Sequence, residues 1–182
     1  LSMFVIEGSA GITAFSVALQ ADALDFLGDS ASYAISLFVL SLAMKWRTGA
    51  AMVKGVSMGL FGLWVVGATI WSFIVTGKPS AVIMGSIGML ALIANVFSAF
   101  LLYRFREGDA NMRSVWLCSR NDAISNIAVM IAASGVFYTG QNWPDLLVAI
   151  IMAGLALFAS FQVIRHARQE WRQTNDQGST IT

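Results

Sequence analysis

Apolar residues run along this chain in long blocks, about 1–18, 20–44, 52–76, 80–104, 112–138 and 143–165, parted by short polar or glycine-bearing breaks. A hydrocarbon core about 30 Å thick requires about 20 apolar residues of a helix, so each block predicts one membrane-spanning helix. The breaks are a short link near Ala18 to Ala21, then "MKWRTGAAMVKG", "VTGKPSA", "YRFREGDANMRS" and "YTGQNWPD", all rich in turn formers or charge. The pattern predicts an all-α membrane protein: six transmembrane helices in one domain over residues 1–167, followed by a short polar tail over 168–182. The first block opens at Leu1 with no basic stretch before it, so no secretory signal peptide is visible, and the natural N-terminus is expected to precede Leu1.

Composition agrees with the block pattern. The 182 residues are 57% hydrophobic and 12% charged, with mean hydropathy +0.72, whereas a soluble domain has about 45–50% apolar and about 25% charged residues. Of the eleven Lys and Arg, Lys45, Arg47 and Lys54 fall between the second and third helices, and Arg104, Arg106 and Arg113 between the fourth and fifth. Arg165, Arg168 and Arg172 follow the sixth, while only Lys78 falls on the opposite side. Basic residues near helix ends favour the cytoplasmic side, so both termini are predicted cytoplasmic. Trp46, Trp143 and Trp171 fall at helix ends, where their rings read as interfacial anchors. Gly59, Gly62, Gly67, Gly85 and Gly88 read first as close-packing positions and second as a dimer seam. A net charge of +1 gives no basis for a nucleic-acid partner, and a single Cys gives no disulfide framework.

Chemistry must then come from ionisable groups inside the spans, where a charged side chain costs at least ~2.5–3.5 kcal/mol. The stretch "LQADALDFLGDSASYAISLFVL" holds three aspartates in its first half. Asp25 and Asp29, four residues apart, share one helical face about 6 Å apart along the axis. Two carboxylates that close in low dielectric do not both ionise without a cation or proton between them. Asp22 lies nearly on the same face, closer to the outer surface, and reads equally as a vestibule group or as a carboxylate solvating the helix end. In the fifth helix Cys118 and Asp122 repeat the four-residue spacing. Cys118 alone reads as a small buried hydrophobe; a carboxylate one turn away at membrane depth makes it a candidate ligand.

These two pairs sit in the second helix of each half, the placement expected of an inverted-repeat transporter. Running in opposite directions, their helices bring Asp29 and Asp122 to the same depth near the midplane. Two oxygen-bearing pairs with one sulfur suit the tetrahedral preference of Zn²⁺, and sulfur tilts selectivity toward Zn²⁺ or Cd²⁺ over Mg²⁺, Ca²⁺ or Mn²⁺.

"ADALDFLGDSASYAISL" followed by "WLCSRNDAISNIAVMIAA", within six helices of this orientation, resembles the cation diffusion facilitator family of divalent-metal/proton antiporters. The resemblance covers essentially the whole chain. It implies that Asp25 and Asp29, with Cys118 and Asp122, bind the transported metal, Cys118 standing where the family commonly has His. It implies a bundle of that family's type in the inner (plasma) membrane of a bacterium. The family also commonly carries a ferredoxin-like cytoplasmic domain after the sixth helix that assists dimerisation. Here only "ARQEWRQTNDQGSTIT" follows, so a homodimer is expected to form through membrane helices.

A mechanism follows from charge. Three carboxylates and a thiolate facing one divalent cation leave a surplus of two negative charges, costly in low dielectric. Protons entering as the metal leaves would offset the repulsion, so Zn²⁺ or Cd²⁺, or Co²⁺ or Fe²⁺ of the same class, would exchange for protons as the helices rock. Accessory candidates are Glu7 as a proton relay, Asn126 as an orienting group or helix bridge, and Arg120 as a snorkelling residue or an ion-pair partner of Glu7. Asn95 reads as a helix bridge and His166 as a solvated interfacial residue. No nucleophile with a base, phosphate loop or redox pair occurs, so no enzyme and no prosthetic group are expected. Two other classes stay open: a carrier that uses the same acids for protons alone, and a structural membrane subunit.

Overall fold

The computed structural model describes residues 1–39, 44–75, 77–105 and 110–179, all of them helix or short connection. Six helices follow in order: α1 (Ser2–Thr13), α2 (Val17–Val39), α3 (Met44–Val75), α4 (Ala81–Leu102), α5 (Ala110–Thr139) and α6 (Trp143–Ser179). A 3₁₀ turn over Tyr103–Phe105 follows α4. The six-helix, all-α expectation therefore holds. Four helices are long and apolar enough by themselves to cross a bilayer, over Thr48–Val75, Ala81–Leu101, Arg120–Thr139 and Trp143–Gln169. The α2 helix is long enough, at 23 residues, but Asp22, Asp25 and Asp29 interrupt its apolar run. The α1 helix has only 12 residues.

The first break lies earlier than the block pattern placed it, at Ala14–Ser16 rather than near Ala18 to Ala21. Phe15 takes a left-handed φ of 55°, and the Ser16 hydroxyl accepts the Leu19 N–H at 3.1 Å, the hydrogen bond of a helix N-cap. Two local signals then mark the last turn. Gly140 ends α5 with φ +62°, where a side chain would be strained, and Pro144 sits in the first turn of α6, where its missing N–H costs nothing.

Packing is inside-out relative to a soluble protein. The core is rich in small residues, Ala18, Ala21, Ala91, Ala132, Ala149 and Ala153 among them, while Trp64, Trp71, Phe73, Phe97, Phe137 and Phe158 face outward. Lipid tails are as apolar as leucine, so large side chains gain nothing by turning inward, and small ones let helices approach. The Gly55, Gly59 and Gly62 edge of α3 shows this best. A β-carbon on these residues would lie 2.8 Å from Ile164 Cγ1, 2.8 Å from Ser160 Oγ and 2.9 Å from Leu157 Cγ of α6. Ser160 also donates a hydrogen bond to the Gly55 carbonyl at 2.6 Å. Gly85 and Gly88 likewise lie against Ala133 and Val129 of α5. Four of the five glycines read from the sequence thus pack within the protomer, and Gly67 faces open space.

The α3–α6 pair shares the most extensive contact and the α4–α5 pair the next, while α2 packs on α1, α3 and α6 more extensively than on α5. The turns α1–α2, α3–α4 and α5–α6 gather at one end of the bundle, where the Ser80 N–H donates to the Ala14 carbonyl at 2.9 Å.

Candidate functional site

The aspartates of α2 stand where α2 faces α5 on one side and α3 on another. Because α2 starts at Val17, Asp22 is the sixth residue of the helix, more than a turn inside it, and it is 1% exposed. It therefore does not solvate a helix end. Asp25 and Asp29, one and two turns deeper, line a cavity of about 200 Å³ between α2 and α3, closed on the α6 side by Ala156. Asp25 opens into it and Asp29 is half-buried. Tyr33, one turn beyond Asp29, donates its hydroxyl to Asp29 Oδ2 at 3.2 Å.

Asp122 reaches the same place from α5. Its carboxyl lies near that of Asp29, and the charges of Asp25 and Asp22 also act on it. Two carboxyl groups that close need a proton or a cation between them. Among the described residues no three His, Cys, Asp or Glu side chains close around one point tightly enough to hold an ion. Cys118 lies one turn before Asp122 on α5, and its side chain falls outside the described residues.

Around this centre lie further polar groups. Glu7 of α1 and Asp22 of α2 meet carboxyl to carboxyl, both fully buried. Neither Glu7 oxygen, nor Asp22 Oδ2, has a hydrogen-bond partner among the described residues. Arg120 is exposed and donates to Asn121 Oδ1 at 3.1 Å, and α1 approaches α2 closely at Gly11, where a β-carbon would lie 3.0 Å from the Gln20 backbone nitrogen. Asn126 is buried and its amide donates to the Asp122 backbone carbonyl at 2.8 Å, so it braces the helix at Asp122 rather than the carboxyl itself. Asn95 is buried, and its Nδ2 has no partner among the described residues. His166 is exposed, as are Trp46, Trp143 and Trp171.

Two residues of this region escaped the sequence reading. Lys54, counted there with a basic loop, lies in α3 and lines the cavity of Asp25 and Asp29. Lys54 already lies inside the 52–76 apolar block, so the signal for its helical place was there, but the sequence does not show that it turns to α2. The other is Asp145, in the first turn of α6 and fully buried. Its Oδ1 accepts the Ser16 hydroxyl at 2.6 Å and the Ala18 N–H at 3.2 Å, and its Oδ2 accepts the Val17 N–H at 2.8 Å. A Pro-Asp pair opening a helix signals only a first-turn acid; a partner 128 residues away leaves no local trace.

The chain matches the cation efflux transmembrane domain over residues 1–170, and it belongs to that family. Among curated proteins it is similar to the cadmium, cobalt and zinc/H(+)-K(+) antiporter of Bacillus subtilis (strain 168), 26% identical over 175 residues, 88% of this chain and 56% of that protein. It is also similar to the zinc transporter ZitB of Escherichia coli (strain K12), 24% identical, covering 91% of this chain and 57% of ZitB. The metal cation efflux system protein CzcD of Cupriavidus metallidurans is 23% identical, covering 83% of this chain and 52% of CzcD. The chain thus spans about half the length of the curated relatives it matches.

Proposed function

We propose that this chain carries divalent transition-metal cations out of the cytoplasm in exchange for protons, by alternating access, with Zn²⁺ or Cd²⁺ as preferred cargo and Co²⁺ and Fe²⁺ in the same class. The observation that carries the reading is the meeting of Asp29 on α2 with Asp122 on α5, beside the cavity that Asp25 shares. The names of its relatives, which print cadmium, cobalt and zinc, support the same class of cargo. In this reading Asp25, Asp29 and Asp122 bind the cation with Cys118, whose sulfur favours Zn²⁺ and Cd²⁺. Tyr33 orients Asp29 and Asn126 braces Asp122.

Metal and protons compete for the same oxygens, so exchange is a property of the site itself. With the cation present, its two charges offset the mutual repulsion of the carboxylates; with it gone, protons must do so before the empty site can turn. Glu7 and Asp22, facing each other without a donor, extend this proton-holding chain toward the α1–α2 turn. Cytoplasmic termini and a homodimer through membrane helices belong to the same proposal.

The test is Zn²⁺ binding and transport by purified protein in vesicles. Asp29→Ala and Asp122→Ala each abolish both while the helical content stays unchanged. Variants that lose proton movement while the wild type binds no metal would instead favour a proton carrier, and variants defective only in assembly would favour a structural subunit.

A further inference from the structure

At the turn end of the bundle the first turn of α2 has no exposed backbone donors. A helix leaves its first four N–H groups without partners inside the helix. Here the Val17 and Ala18 N–H groups go to the Asp145 carboxylate, the Leu19 N–H to the Ser16 hydroxyl, and the Gln20 N–H to the Ser16 carbonyl at 3.4 Å. The Ser16 hydroxyl itself donates to Asp145. One side chain from α6 therefore caps α2, and a carboxylate at a helix N-terminus also meets the positive end of the helix dipole.

This cap ties α6 to α2, the helix that carries Asp25 and Asp29. Further along α2, that helix and α3 line the cavity of Asp25 and Asp29. Val17 lies eight residues before Asp25 and twelve before Asp29, about 12 and 18 Å along the helix axis. A helix pinned at its first turn, with a cavity further along it, has its rotation about its own axis fixed by that pin, and so the face its carboxylates present.

We propose that Asp145 is a positioning residue, a latch that holds the turn end of α2 against α6 and keeps that face of the transporter closed, and that opening the face requires release of the Ser16, Val17 and Ala18 bonds. The inference rests on the transport reading given above. It differs from it in assigning the balance between inward and outward faces to a residue that touches no metal.

The test measures half-saturating Zn²⁺ at each face separately, in right-side-out and in everted vesicles, for wild type, Ser16→Ala, Asp145→Asn and Asp145→Ala. Releasing the latch favours the state open at the turn end, so the half-saturating Zn²⁺ falls at that face and rises at the cavity face. The expected shift for Asp145→Ala is at least about tenfold, since even one lost charge-assisted hydrogen bond brings that change and this variant loses three. Ser16→Ala, which leaves the carboxylate and both backbone donors in place, shifts both constants the same way by less. Should Asp145→Ala not fold, Ser16→Ala and Asp145→Asn decide. A latch-independent, purely structural role would lower the maximal rate, or move both constants in the same direction, and either result overturns the proposal. Wild type that transports Zn²⁺ while no variant moves the constants in opposite directions overturns the latch alone; wild type that moves no Zn²⁺ overturns the transport reading and the latch with it.

Discussion

At the scale of single residues the cavity combines opposite charges that a transporter must keep in balance. Lys54 projects from α3 into the space that Asp25 and Asp29 line, so a bound divalent cation must share it with a fixed positive charge. Charges about 10 Å apart at an effective dielectric near 20 interact by ~1–2 kcal/mol per unit pair. Lys54→Met is therefore expected to tighten Zn²⁺ binding by roughly tenfold, read by titration calorimetry, whereas unchanged affinity would place the ammonium outside the field of the site. Cys118 makes the complementary case. Exchanging a soft donor for a hard one, Cys118→Ser, is expected to weaken Cd²⁺ binding more than that of Mn²⁺, and competition titrations of the two ions check it. The pairs at four-residue spacing were legible in the sequence because a helix puts i and i+4 on one face. Lys54 and Asp145 were not, because their roles depend on which helix lies across from that face of α3 and across from the first turn of α6.

Among the helices, glycine positions decide which surfaces can meet. The α3–α6 contact tolerates no side chain at Gly62, where a β-carbon would crowd Leu157 Cγ at 2.9 Å and the Ala153 carbonyl at 3.3 Å. Gly62→Leu is expected to destabilise the folded protein by about 1–3 kcal/mol, the usual cost of overpacking. Gly67→Leu, at a position with nothing within 4 Å, is expected to be nearly neutral, and paired thermal melts in detergent compare the two. Apolar blocks announced six helices correctly because a bilayer imposes their length. They misplaced the first boundary because Ala14, Phe15 and Ser16 continue the apolar composition almost unbroken, so the signal there is a capping hydroxyl and a left-handed residue, neither of which alters hydropathy. The glycines' packing role was readable from the sequence; which helix each one meets came only from the fold.

For the molecule as a whole, the placement of the charged groups bears on the proposed transport cycle. Asp29 and Asp122 lie on α2 and α5, whereas Lys54 lies on α3 beside the cavity. Movement of α3 against α2 in that cycle would change the separation between the Lys54 ammonium and the carboxylates, so the empty, unprotonated site is drawn to it more strongly than the metal-loaded site, whose surplus of negative charge is smaller. The proposed cycle couples metal to protons only if the carboxylates do not turn over bare, as neighbouring carboxylates in low dielectric disfavour. Each proton exchanged per metal ion contributes about 1.4 kcal/mol for every pH unit across the membrane, so the steady-state Zn²⁺ ratio in sealed vesicles is expected to change about tenfold per pH unit for each proton coupled. Reversing the pH gradient should reverse net Zn²⁺ movement, and a protonophore should abolish accumulation. A Zn²⁺ flux indifferent to both would leave the carboxylate cluster without its role in coupling, while still allowing it to bind metal.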